Sequence, residues 1–210
     1  MNTLQALVVV TSTLACGICP AQTCHYDDWR WNVHEKRAVQ NMSISKDYAL
    51  LADYERDAQS GCSVCQEDQQ VIHIQGLPEF SVCKKYAAKA QETLTRLINS
   101  GAYIKSVTGY RVGRTRGEVD AQGNRTDFSN HSFGVALDIN AEHNGLYIHC
   151  IEFGPQCQLS RGGPWRPGVD PYSLESNGAI VLMMKAAGFK WGGEIAGRQK
   201  DFMHFSLTGY

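Results

Sequence analysis

Ser129-Asn130-His131-Ser132-Phe133-Gly134-Val135-Ala136-Leu137-Asp138-Ile139-Asn140 is the stretch from which the rest of this chain is read. The apolar run from Gly134 to Ile139 predicts a short buried strand. Side chains alternate faces along a strand, so Val135, Leu137 and Ile139 point one way and Gly134, Ala136 and Asp138 the other. The first is a core face. The second is small and then charged, which suits a place where something sits close to the backbone. An ionised carboxylate beside a core strand needs a partner, because burying that charge alone is very costly. A metal ion is such a partner, with His131 just upstream as a second ligand. The third is sought in Asp201-Phe202-Met203-His204-Phe205-Ser206-Leu207. There His204 and Ser206 share one face of a strand while Met203, Phe205 and Leu207 share the other. Each piece alone has a bland reading, a hydrogen-bonded histidine or an edge-strand aspartate. A polar residue on the non-core face of two buried strands is the stronger signal.

With 210 residues and a net charge of −1, the chain suits one ordinary domain with a smaller N-terminal extension. No basic field points to nucleic acid, and no apolar run approaches the ~20 residues of a membrane-spanning helix. Leu4 to Ala15 is an apolar stretch of signal-peptide length, followed by the small residues Gly17 and Ala21. Residues 1–21 are therefore read as an export signal, 22–80 as an N-terminal extension and 81–210 as the domain carrying the site. Of eight cysteines, cleavage after Ala21 leaves six: Cys24, Cys62, Cys65, Cys83, Cys150 and Cys157. An even set in an exported chain argues for disulfides. Cys150 and Cys157 flank a short loop and are natural partners. Pairing among the other four stays open, with a four-thiolate zinc site around Cys62-x-x-Cys65 as the alternative. A lipid anchor on Cys16 is the weaker reading, since Thr13 stands where a lipoprotein signal usually has Leu.

Ser43 to Asp57 reads as helical, with Ile44, Tyr48, Leu51 and Tyr54 or Glu55 in rough register, and Val71 to Ile74 as a short strand. From Ser81, a plausible N-cap, the residues Tyr86, Ala90, Leu94, Leu97 and Ile98 form one helical stripe that Gly101 ends. Tyr103 to Thr108 predicts a strand running into Gly109-Tyr110-Arg111. Arg114 and Arg116 read as a solvated basic loop. Phe153 to Pro171 is a long Gly/Pro-rich loop expected to border a substrate cleft. Ser176 is expected to cap a last helix containing Ile180, Met183, Met184 and Ala187, with the methionines as core fillers.

The pattern of Ser129, His131, Gly134, Ala136 and Asp138, followed by Trp191-Gly192-Gly193 and then Asp201, His204 and Phe205, resembles the zinc D-alanyl-D-alanine peptidase family. That family includes VanX- and VanY-type enzymes and the L-alanyl-D-glutamate endopeptidases of phage lysins and cell-wall hydrolases. The resemblance covers roughly the C-terminal half of the chain. With the element reading it predicts an α+β fold: a small antiparallel sheet carrying the zinc site, packed by helices, with a disulfide-bearing N-terminal extension. It implies one Zn2+ per chain on His131, Asp138 and His204, leaving a position open for water as in catalytic sites. Asp201 would handle the proton, which requires a bend between it and His204, because an offset of three on a straight strand reverses the face. Gly109-Tyr110-Arg111 resembles the segment that supplies an arginine, so Arg111 would stabilise the oxyanion. Ser129 and Trp191 are expected near the substrate, a peptidoglycan stem peptide, with a contact to a metal ligand as the alternative for Ser129, and the substrate places the protein in the periplasm, cell envelope or medium. The family's dipeptidases and D,D-carboxypeptidases commonly have Glu at the base position, whereas Asp, as here, resembles the endopeptidase branch.

Two other readings use the same residues. A non-haem iron enzyme also takes two His and one carboxylate, but the seven-residue step from His131 to Asp138 departs from its usual close pair. A non-catalytic zinc domain is the other, since hedgehog signalling domains resemble these peptidases.

Overall fold

The computed structural model describes residues 22–209, so the expected export signal and Cys16 lie outside the described residues. In chain order it contains β1 (Thr23–Asn32), β2 (Arg37–Asp47), β3 (Gln69–Ile72), β4 (Phe80–Cys83) and α1 (Lys84–Asn99). There follow β5 (Val107–Thr108), β6 (Arg114–Val119), β7 (Arg125–Phe128), β8 (Ala136–Ile139), β9 (Leu146–Ile148) and β10 (Gln158–Arg161). The last elements are α2 (Ala179–Ala186), β11 (Lys190–Trp191), β12 (Gln199–Asp201) and β13 (His204–Ser206). This is the α+β architecture expected: small, mostly antiparallel sheets, with helices packed beside the sheet that bears Asp138 and His204. Among the described residues no helix is long and apolar enough to cross a membrane.

The strands fall into sheets of order β2-β1-β6-β7, β10-β9-β12, β11-β13-β8-β5 and β3-β4. The third is the one the site needs. In it β13 pairs antiparallel with β8, and β5 pairs with the other edge of β8. One main core forms where Leu94 and Leu97 of α1, Val181 and Met184 of α2, and Leu137, Ile139 and Phe205 of this sheet meet, all essentially solvent-free. Truncating such a leucine to alanine costs about 2–5 kcal/mol. A second cluster gathers Tyr26, Val64, Phe128, Phe133 and Val135 around two disulfides.

The bridges are Cys24–Cys65, Cys62–Cys83 and Cys150–Cys157. All six cysteines of the expected mature chain are thus paired, and the four-thiolate zinc site is not formed. Cys62–Cys83 and the β3–β4 pairing tie residues 22–80 to the segment that begins α1.

Several local expectations are corrected by tertiary pairing. Ser43 to Asp57 is not a helix. Its first part belongs to β2, which pairs with β1 from Thr23↔Asp47 to Asn32↔Arg37, and two short 3-10 turns follow. Helix α1 carries the predicted stripe, but Ser81 does not cap it. Ser81 lies in β4, where its carbonyl accepts from Tyr110 N at 2.6 Å, and the helix starts at Lys84. Gly101 ends it with φ +85°, a conformation that favours glycine. Only Val107 and Thr108 of the predicted 103–108 strand are strand. The residues before them are held by Asn140, whose Oδ1 accepts from Lys105 N at 2.7 Å and whose Nδ2 donates to Tyr103 O at 2.7 Å. Helix α2 starts at Ala179 behind Gly178 rather than at a Ser176 cap. Within the Gly/Pro-rich 153–171 segment, residues 158–161 form β10 against β9.

Candidate metal centre and cleft

His131 sits in a 3-10 turn, Asn130–Phe133, that Gly134 closes with φ +65°. The turn packs tightly on the β3–β4 hairpin: a Cβ on Gly134 would lie 2.0 Å from Gln69 Oε1 and 2.4 Å from Cys83 N. Glycine is required there for both space and backbone conformation. The strand therefore begins at Ala136, two residues later than its apolar run suggests. Asp138 and His204 stand directly opposite each other in the β8–β13 register.

These three side chains converge. His131 Nε2 lies 3.0 Å from Asp138 Oδ1 and 3.2 Å from His204 Nδ1, and His204 Nδ1 lies 3.0 Å from Asp138 Oδ1. All three residues are at least nine-tenths buried. His131 Nδ1–H donates to Gly109 O at 2.7 Å, which leaves Nε2 facing the carboxylate. Such close nitrogen and oxygen atoms need a proton or a metal cation between them. A tetrahedral ion with bonds of about 2.0–2.1 Å separates its ligand atoms by about 3.3 Å, close to the spacing found. The nitrogen-rich donor set fits zinc. Burial opposes charge on Asp138, but the His131 and His204 rings outweigh it and hold the carboxyl well below the usual carboxylate range.

Arg111 follows Tyr110, whose hydroxyl donates to Val64 O at 2.7 Å. The Arg111 backbone N–H donates to His131 O at 3.2 Å, and its Nη2 donates to Asp138 Oδ2 at 3.0 Å. The guanidinium thus engages the carboxylate oxygen that does not face the histidines. Asp201 ends β12, the chain turns at Phe202 and Met203, and His204 begins β13 in a different sheet. This is the bend that the Asp201–His204 offset requires. Asp201 Oδ1 is buried without a hydrogen-bond partner. Burial, together with the Asp138 charge, pushes its carboxyl up to about 7 against the opposing pull of His204, Arg111 and Arg161.

His131, Asp138, His204, Asp201, Arg111 and Ser129 all border one cleft of about 580 Å³. Ser129 is buried and its Oγ lies 3.3 Å from Ser132 Oγ. Trp191 is placed differently. It is 3 % exposed and lies behind the cleft, donating from Nε1 to Phe202 O at 2.8 Å. Its neighbour Gly192 abuts Asp201 so closely that a Cβ would lie 2.1 Å from Asp201 O. The Trp-Gly-Gly segment thus braces the turn between Asp201 and His204.

Arg114 and Arg116 lie in β6 rather than in a loop, and of the two only Arg116 is exposed to solvent. Arg114 lies in β6, bonds the Asp28 carboxylate through Nε at 3.0 Å and covers the Phe128 ring at 4.2 Å. Arg116 reaches Asn130 Oδ1 and lines the cleft. Residues passed over in the sequence also matter. Asn130 Nδ2 donates to Ser206 Oγ at 2.7 Å, locking the His131 turn to the His204 strand. Its place inside the central motif was the only signal. Trp31, Arg125 and Arg161 line the cleft from distant segments. Arg161 belongs to the Gly/Pro-rich stretch expected to border it.

A second group of metal-ligating residue types, Cys24, Cys65 and Glu67, offers no thiolate because its sulfurs are bridged. No curated protein and no solved structure matches the chain. Residues 122–207, which contain the three converging side chains and Asp201, match the family model of D-alanyl-D-alanine carboxypeptidases, and this match supports kinship with the peptidoglycan metallopeptidases.

Proposed function

We propose that this protein is an exported zinc peptidase that hydrolyses an amide bond of peptidoglycan stem peptides, with cleavage between L-alanine and D-glutamate favoured over removal of terminal D-alanine. The observation that carries the reading is the buried His131–Asp138–His204 cluster sharing a cleft with Asp201, a carboxylate with one oxygen unbonded. The preference for the endopeptidase reaction rests on Asp rather than Glu at position 201.

His131 Nε2, His204 Nδ1 and Asp138 Oδ1 would hold the ion. Zinc there supplies a lowered water pKa and polarisation of the scissile carbonyl. Gly109 O fixes the His131 tautomer by accepting from Nδ1. Asp201 accepts the proton of the attacking water and passes it to the leaving amine. Its Oδ1, buried without a hydrogen-bond partner, is available to take that proton. Arg111 orients Asp138 through Oδ2, and its remaining N–H groups are donors for the carbonyl oxygen as that becomes an oxyanion.

The test is incubation of wild type and Asp201→Ala with purified muropeptides, followed by mass analysis. A new D-glutamate amino terminus identifies the endopeptidase, and loss of D-alanine identifies the carboxypeptidase. Absence of any product from zinc-loaded wild type overturns the enzymatic reading in favour of a binding domain.

A further inference from the structure

Outside its histidines the cleft is basic. Arg111, Arg116, Arg125 and Arg161 border it, against the carboxylates of Asp138 and Asp201. Three of these guanidiniums are anchored on the protein: Arg111 on Asp138 Oδ2 at 3.0 Å, Arg116 on Asn130 Oδ1, and Arg125 on Gly117 O at 2.6 Å. Arg161 is not. Among the described residues its guanidinium has no hydrogen-bond or ion-pair acceptor, and it lies instead over the Trp31 ring, 4.2 Å from the centroid. Partial desolvation and the like charge of Arg111 disfavour its cation while the Asp201 carboxylate favours it, and the side chain stays exposed to solvent. A guanidinium kept in such a place with its donors unspent is suited to an anion that arrives from outside.

The sheet fixes where that anion would sit. Leu146 of β9 pairs with Asp201 of β12 on one side and with Arg161 of β10 on the other. Directly opposed residues of antiparallel strands share a face, so Arg161, Leu146 and Asp201 form one row, and all three border the cleft. Two strand spacings, about 10 Å, separate the backbones at the ends of the row. A register shift between Leu159 and Arg161 marks a bulge, a device that re-aims a side chain beside a site. An arginine reaching from one end toward the cleft can therefore engage a group close to the bond that Asp201 serves.

We propose that Arg161, propped on Trp31, binds a carboxylate carried by the substrate residue next to the scissile bond. This rests on the peptidase reading of the cleft. The planar guanidinium fork matches a carboxylate bidentately, and the indole face supports it through a cation–π contact. In a stem peptide such a carboxylate is either the free α-carboxylate of a γ-linked glutamate or the chain terminus. Trp31 acts as a positioning residue. It lies in β1, outside the 122–207 match, so substrate recognition extends to the N-terminal hairpin.

The test uses zinc-loaded wild type, Arg161→Gln, Trp31→Ala and Trp31→Phe with three synthetic stem pentapeptides. One is unmodified, one is amidated only at the glutamate α-carboxyl, and one only at the terminus. In wild type, amidating the recognised carboxylate lowers kcat/KM roughly 10- to 100-fold, the range of a charged hydrogen bond, and which amide does so identifies the source. Arg161→Gln shows that same loss on the unmodified peptide and no further loss on amidation. Trp31→Ala loses part of the discrimination, chiefly through KM, and Trp31→Phe restores it. Calorimetric binding of the same peptides is measured in parallel. Binding discrimination that Arg161→Gln abolishes, without hydrolysis in wild type, sinks the peptidase reading and leaves the carboxylate site standing. Hydrolysis by an Arg161→Gln variant that discriminates like wild type, or that loses activity equally on every peptide, overturns the carboxylate site. Wild type that neither cleaves nor binds the peptides overturns both.

Discussion

His204 and Asp138 face each other across antiparallel strands, residue against residue, with 3.0 Å between Nδ1 and Oδ1. The backbone ladder of β13 and β8 therefore sets that distance, and His131 is brought to both by the turn before β8. A site built on paired strands loses a ligand without losing its frame.

The first prediction follows from that separation. His204→Ala and Asp138→Asn should remain folded yet lose most of the one zinc per chain, read by elemental analysis of protein purified with zinc. Chelation of wild type should lower Tm, because an ion bound only by the folded state stabilises it by mass action. Full zinc occupancy in His204→Ala would remove the proposed centre.

Asp201→Asn should behave in the opposite way, keeping zinc and losing turnover. General acid–base groups contribute typically 10²–10⁴-fold, about 3–5 kcal/mol of barrier, so a single-time-point product assay resolves the loss. Arg111→Lys should also be impaired, since an ammonium cannot replace the planar fork on Asp138 Oδ2. Wild-type rates in Asp201→Asn would mean that another group moves the proton.

A pH prediction concerns the metal-free protein. Burial holds the Asp201 carboxyl up at about 7, above its unfolded value of about 3.9. Between those values the folded state binds more protons than the unfolded state, so stability from this group falls as pH rises. It is fully present below about pH 4 and lost as pH passes through about 7. Asp138, held low by the histidines, has the reverse sign: its contribution is present above about pH 4 and lost on acidification through its lowered value. Chelated wild type should thus lose stability between pH 4 and 7 relative to Asp201→Asn, as measured by denaturant melts. Parallel curves for the two proteins would contradict the raised Asp201.

Gly192→Ala probes the brace behind Asp201. Its new Cβ would lie 2.1 Å from Asp201 O, and backbone cannot yield as a flexible side chain does. Overpacking of this kind costs about 1–3 kcal/mol, or a Tm fall of about 2–4 °C per kcal/mol for a chain this size. Activity should fall with it, because the displaced backbone carries Asp201. An unchanged melting curve would show that the turn has slack.

The six paired cysteines give a last test. Non-reducing peptide mapping should recover Cys24–Cys65, Cys62–Cys83 and Cys150–Cys157. The Cys62→Ser, Cys83→Ser pair should cost about 2–4 kcal/mol, since that bridge ties the N-terminal segment to the start of α1. Free thiols at these positions in the purified protein would refute the assignment.

The amino-acid sequence alone determined the features whose causes are local. Alternation around Asp138 and around His204 identified two strands and the polar residue on each. The stripe from Tyr86 to Ile98 identified α1, and the even cysteine set identified disulfides. Tertiary structure decided everything that depends on a partner far along the chain. Ser43 to Asp57 has tolerable helical spacing, but ten residues of β1 offer β2 a ladder, and backbone hydrogen bonds shared across strands outweigh weak local periodicity. Arg114 reads as exposed until Asp28, 86 residues earlier, neutralises it. Arg161 gains its meaning only where Leu146 sets it in line with Asp201 and Trp31 comes over from β1. Strand pairing and charge pairing are non-local, so one sequence pattern names the candidate ligands while the fold alone arranges what surrounds them.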